Sequence, residues 1–186
     1  RISSLNHQAE VFFIAKGRYA ERLKDGIVVN DTLVKNKVLD EAHPIDVLFV
    51  CVKNFDLQSA CEDIRPFVNK DTIIFPLLNS VTPTPYIKEY YPENRVLYGY
   101  ISKIDAYNDG NGFRYNVAGD IHFGYSENST PKSELTEIKC MLDSAGFTAF
   151  IDKDMKRGIW KKWMLNVGAN QVSALTEADY IKFSKI

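Results

Sequence analysis

Apolar positions along the chain fall into short runs separated by helical-period stretches. Glu10-Val-Phe-Phe-Ile14 is a run of β-formers and predicts a buried strand. A helical stretch follows Lys16-Gly17-Arg18 and extends through Leu23. Asp25-Gly26 predicts a turn, Ile27–Val29 a short strand, and Thr32–Val34 a weaker one. Asp46-Val-Leu-Phe-Val-Cys-Val52 is continuously apolar, as a central parallel strand covered on both faces should be. Asp56 suits the N-cap of a helix running through Cys61 to about Val68. Thr72–Phe75 predicts another buried strand, and Pro83–Tyr90 another helix. Val96–Ile104, Phe113–Val117 and Ile121–Tyr125 predict strands, with Tyr107–Gly112 a loop or turn. Pro131–Ala145 predicts a helix closed by Gly146, and Phe147–Ile151 a strand. This alternation predicts an α/β fold with a mostly parallel sheet. Arg1–Gln8 reads as the end of a helix that starts earlier.

The stretch from about Asp154 to Leu175 has a different character. It lacks proline and predicts one long helix. At about 100° per residue, Lys162, Asn166, Asn170 and Ser173 fall within roughly 80° of arc. Trp160, Trp163, Leu165, Val167, Val172 and Leu175 fill most of the rest. A helix apolar nearly all round is expected to be buried. An amine and two amides on such a helix then need something polar to face, and a ligand cleft would supply it. Gly158 and Ala169, on the other edge of the stripe, would leave room for a ligand. The same polar stripe also reads as an ordinary solvated helix face.

Composition narrows the class. The chain has 186 residues, 45% hydrophobic and 25% charged, with net charge −1. That is enough to bury a core, and the balanced charge gives no reason to expect nucleic acid or a membrane as partner. Cys51, Cys61 and Cys140 form no metal-ligand cluster. They read as reduced thiols of a cytoplasmic protein, with Cys51 inside a strand. His7, His43 and His122 show no partner pattern and read as structural.

In open α/β sheets ligands bind beyond the carboxyl ends of the strands. Three polar features are expected there. Lys16 and Arg18 follow the first strand, where a basic residue can neutralise the 2′-phosphate of NADP; they also read as solvated residues opening a helix. Lys53 ends the Asp46–Val52 run, and either contacts a cofactor or marks where the strand meets water. Asn79 follows the next strand, and either bonds a ribose or substrate or forms a turn with Ser80.

Taken in order, these residues resemble the ketopantoate reductase (2-dehydropantoate 2-reductase) family. Phe13-Ile-Ala-Lys-Gly-Arg18 resembles the family's basic segment after its second strand. Asp46–Lys53 resembles the strand ending in a cofactor-contacting lysine. Leu77-Leu-Asn79-Ser80 resembles its Gln-Asn-Gly turn, and Gly119–Gly124 a late strand. Ile159-Trp-Lys-Lys162 with Asn166, Asn170 and Ser173-Ala174 resembles its Trp-x-Lys, Asn, Asn helix.

The resemblance implies a Rossmann-like NADP-binding domain over residues 1–152, then the start of an all-helical C-terminal substrate domain over 153–186. It implies NADPH-dependent reduction of ketopantoate to pantoate. Lys162 is then the catalytic lysine, Asn166 and Asn170 bind substrate, and Asn79 lies near the nicotinamide. Lys16 and Lys53 contact NADPH. It leaves a homodimer open. The chain departs from the family at Leu78 and Ser80, where glutamine and glycine are usual. The family's glycine-rich loop would lie before Arg1 and most of its second domain after Ile186, so the chain is expected to be a piece of a longer protein. A reductase of another 2-oxo acid, or a nucleotide-binding protein without turnover, fits the same residues.

Overall fold

A computed structural model describes residues 9–176. The expected helix at Arg1–Gln8, together with His7, lies outside the described residues, as does the end of the expected C-terminal domain. Strand β1 (Phe12–Ile14) leads into helix α1 (Gly17–Asp25), then β2 (Ile27–Val29), β3 (Thr32–Val34) and β4 (Lys37–Leu39). Strand β5 (Val47–Val50) precedes α2 (Leu57–Asp63), and β6 (Ile73–Pro76) precedes α3 (Pro83–Tyr90). Then come β7 (Arg95–Val96), β8 (Tyr98–Ile104), β9 (Tyr107–Asn108), β10 (Phe113–Arg114) and β11 (Ala118–Gly124). Helix α4 (Ser133–Ser144), β12 (Thr148–Ile151), α5 (Met155–Leu165) and α6 (Gln171–Thr176) complete the order. The architecture is mixed α/β with mostly parallel pairing. Antiparallel ladders join β2 to β3, β9 to β10, and β8 to β11.

The sheet β5-β6-β7 divides two cores, and the period of two along its strands explains how. Leu48 and Val50 of β5 and Ile74 of β6 enter one core, closed by Leu57 and Cys61 of α2 and Ile87 of α3. Ile73 and Phe75 of β6 face the other, closed by Leu135, Ile138 and Leu142 of α4 with Ile121 and Phe123 of β11. All four residues of β6 are buried, whereas β5 alternates between half-buried and buried. The fully covered strand is therefore β6, not the Asp46–Val52 run. Cys51 is exposed just beyond β5, so it is not a strand residue.

The expected single strand Val96–Ile104 is two strands. β7 pairs in parallel with β6, while β8 pairs antiparallel with β11. The change of sheet occurs at fully buried Leu97, whose N–H donates to the Ile74 carbonyl and whose own carbonyl accepts from Thr84 Oγ1. Strand β4 was not legible because its parallel partner β1 is distant in sequence and its own pattern is mixed.

Candidate active site

Two chain segments meet at the carboxyl end of β6. The first is Leu77–Ser80. Leu77 N–H donates to the Val50 carbonyl, so β6 stays tied to β5 one residue past its end. Leu78 is buried and Asn79 is exposed. Ser80 Oγ lies 3.1 Å from Thr82 Oγ1 and also accepts from the Thr82 N–H, forming the turn into α3. A serine thus shapes this turn by hydrogen bonding.

The second segment is α5. Asp154 caps it: its Oδ1 accepts from the Arg157 N–H at 2.9 Å, a contact that contributes about 1 kcal/mol in typical helices. The entry to the helix is stitched to the loop after β11. Asn128 Nδ2 donates to the Asp152 carbonyl, Asn128 N–H to the Lys153 carbonyl, and Met155 N–H to the Ser126 carbonyl. Met155 and Ile159 are the buried residues of α5. Ile159 lines a narrow crevice with Pro76, Leu78 and Gly99.

This docking brings Lys162 to Asn79. Lys162 Nζ donates to Asn79 Oδ1 at 2.7 Å, across 83 positions of sequence. An ammonium has three donors, so two remain for a ligand, and the Asn79 NH₂ is left to donate. Lys162 is half-buried, and burial pushes its pKa down from the ordinary lysine value. Its Nζ stands 5.9 Å from the centre of the Tyr100 ring.

The long helix is not uniform. Residues Asn166–Asn170 form a π-helical turn between α5 and α6. The wider turn advances each residue by less than an α-helical step, so it counters the drift that would carry Asn170 away from Lys162. Asn166 is half-buried and Asn170 exposed. Two expectations for this helix are corrected. It is not buried all round: Trp160, Trp163, Met164, Leu165, Val167, Val172 and Leu175 are exposed. Met155 and Ile159 are the buried residues of α5, while Trp160 and Trp163 lie edge to face with ring centres 5.5 Å apart. Gly158 does not leave room for a ligand, because a Cβ there would lie 2.8 Å from the Tyr100 hydroxyl oxygen. It is one of the points where helix and sheet touch.

The basic residues sit apart from this cluster. Lys16 is the residue preceding α1, and its Nζ is ion-paired with Asp63 Oδ1 at 2.5 Å. Arg18 lies in the first turn of α1, with its guanidinium 5.5 Å from the centre of the Tyr19 ring. Lys53 is exposed, three residues past β5. All three lie at carboxyl ends of parallel strands, and none touches Lys162 or Asn79.

The outer face of β8-β11-β12 carries a network that sequence reasoning missed. Register places Tyr100, His122 and Phe150 side by side on that face. Tyr100 OH donates to Asp152 Oδ2 at 2.9 Å, and His122 Nδ1 lies 3.0 Å from both Asp152 oxygens. His122 Nε2 is 3.1 Å from Ser102 Oγ, and its ring stacks on Tyr100 at 4.6 Å. His122 therefore has partners that its sequence pattern did not show, and they tie it into the sheet. The available signal was the alternation of 100 and 102 on one strand and 122 on the next, which requires the register to read.

The family model described as Ketopantoate reductase PanE/ApbA matches residues 3–128. The chain belongs to that family. The matched segment includes Lys16, Arg18, Lys53 and Asn79 but stops before α5, so Lys162 stands on its geometry. Among curated relatives, an uncharacterized oxidoreductase, YkpB, of Bacillus subtilis is 22% identical over 165 residues, 83% of this chain and 54% of that protein. A 2-dehydropantoate 2-reductase of Halobacterium salinarum is 22% identical, covering 72% of this chain and 44% of its own. The chain spans about half the length of these relatives.

Among solved structures, 2-dehydropantoate 2-reductase from Geobacter metallireducens superposes with TM-score 0.79 at 22% identity, covering 95% of this chain and 60% of the other. D-mandelate dehydrogenase, solved with NADH and anilino(oxo)acetate, superposes with TM-score 0.83 at 17% identity, covering 100% and 63%. At these identities the superpositions show the shared ketopantoate reductase fold. Among the described residues no helix is long and apolar enough to cross a membrane, and no cluster of metal-ligating side chains occurs.

Proposed function

We propose that this chain supplies the cofactor-binding region and catalytic lysine of an NADPH-dependent reductase that converts a 2-oxo acid, ketopantoate in the first instance, to its 2-hydroxy acid. The observation that carries this reading is the 2.7 Å hydrogen bond from Lys162 to Asn79. It joins the cation needed at a carbonyl oxygen to the amide at the mouth of the sheet, where nucleotides bind in such folds.

The residues present suit a phosphorylated dinucleotide. Arg18 and Lys53 offer cations at the ends of β1 and β5, and Lys16 would exchange Asp63 for a 2′-phosphate. A nicotinamide held there would supply the hydride. Lys162, protonated, holds the keto oxygen as negative charge develops there and passes a proton to it. Asn79 fixes the ammonium's direction, so that little reorganisation is needed at the moment of reaction. Asn166 and Asn170 orient carboxylate or hydroxyl groups of the substrate without adding charge. The free thiols Cys51, Cys61 and Cys140 support a reducing compartment, the cytoplasm.

A second acid is a specific alternative. Leu78 is buried and apolar, so it lacks the amide of a Gln-Asn-Gly turn, and Ser80 adds a hydroxyl, 3.1 Å from Thr82 Oγ1, where glycine has no side chain. The test is a panel of 2-oxo acids, branched, linear and aromatic, assayed by loss of reduced-nicotinamide absorbance with the full-length protein. Ketopantoate is expected to give the highest kcat/KM, with NADPH favoured over NADH by about tenfold, the worth of one charge-assisted contact. A different preferred acid would reassign the substrate. NADPH binding without oxidation by any acid would reject the reductase.

A further inference from the structure

Tyr100 holds a position that its place on a half-exposed sheet does not require. Three contacts fix its ring. Its hydroxyl donates to Asp152 Oδ2 at 2.9 Å. Its face stacks on His122 at 4.6 Å with the planes 3° apart. Its edge lies against Gly158, where a Cβ would come within 3.0 Å of the ring carbon Cε1. Asp152 is itself held, by His122 Nδ1 and through its carbonyl by Asn128. Gly158 lies one helical turn before Lys162 on the same face, and the Lys162 ammonium is 5.9 Å from the ring centre.

We propose that Tyr100 is the positioning residue for Lys162, its ring forming the floor that keeps the ammonium directed at Asn79 and the keto oxygen. The inference rests on Lys162 being the proton donor. The physical reason is the negative face of the ring, which attracts an ammonium most strongly where water is partly excluded. Asn79 constrains the ammonium from one direction by a hydrogen bond, and the ring constrains it from another by charge–quadrupole attraction. A lysine has four rotatable bonds, so two restraints confine it where one does not. The glycine at 158 lets the sheet approach closely enough for the ring to reach.

The test varies the ring's electron density while keeping its shape. In the full-length protein, Tyr100 is replaced by Phe, then by mono-, di- and trifluorinated phenylalanines, and by Leu. Tyr100→Phe keeps the ring and the His122 stack, so kcat is expected to stay within about threefold of wild type, with a lower Tm from the lost Asp152 bond. Successive fluorination is expected to lower kcat stepwise, to about fivefold below Phe for the trifluoro ring, and Tyr100→Leu by a similar factor. The Kd for NADPH should be unchanged throughout. A kcat that is flat across the fluorinated series overturns the proposal, because a purely structural ring would not register its own charge distribution. Lys162→Ala, run beside the series, separates the two readings. If Lys162→Ala keeps turnover, the lysine assignment falls and the floor with it. If Lys162→Ala is inactive and the series is flat, only the role of Tyr100 falls.

Discussion

Lys162→Ala is expected to lower kcat by roughly 10²–10⁴-fold in the full-length protein while NADPH still binds. The range follows from what a positioned general acid contributes, together with the loss of a cation beside a developing oxyanion. Binding of the nucleotide should survive because the cations proposed to hold it, Lys16, Arg18 and Lys53, do not touch Lys162. Fluorescence titration of NADPH and steady-state assays of the same sample check both halves. In the proposed mechanism the protonated amine is the active form, and burial holds the Lys162 pKa below the ordinary lysine value. Activity is therefore expected at lower pH and should fall as pH rises through that lowered pKa. Turnover near wild type in Lys162→Ala would remove the lysine from the mechanism.

Phe75→Ala is expected to cost about 3–5 kcal/mol of stability, read as a shift in the denaturant midpoint at constant slope. Phe75 is fully buried, its ring 5.0 Å from Phe49 and 5.2 Å from Phe123. Pairs of rings at such spacing contribute beyond their buried area. The cavity would not collapse readily, since Gly99 already brings the β8 backbone against the ring and has no side chain to move in. The loss bears on function because Phe75 lies four residues before Asn79. A loss below about 1 kcal/mol would show that the core relaxes around the void.

The local elements were largely legible. Ile27–Val29, Thr32–Val34 and Pro83–Tyr90 form as their patterns predict, and Asp154 caps α5. These outcomes depend on short-range rules: period, turn residues and caps. Properties set by distant partners were not legible. The Val96–Ile104 run divides because Leu97 bonds to Ile74 while Tyr98 joins β11. The apolar residues of the long helix signal contacts but not which contacts, and here most of them remain exposed. Gly158 reads as vacancy in sequence and is a contact in space. Of the site, the Lys162, Asn166, Asn170 stripe followed from helical spacing, and Asn79 from its place after a buried strand. The meeting of Lys162 with Asn79 needed the fold. The Tyr100, His122, Asp152 network needed the register of three strands.

Lys162 and Asn79 are proposed to act as one unit, joined by their 2.7 Å hydrogen bond. A double-mutant cycle on kcat/KM, with Lys162→Ala, Asn79→Ala and the pair in the full-length protein, measures their coupling. Groups in direct hydrogen-bond contact couple by roughly 0.5–3 kcal/mol, so the double variant should be scarcely slower than Lys162→Ala alone. If the two single losses multiply in full, the residues work independently and the site described here is not the catalytic unit.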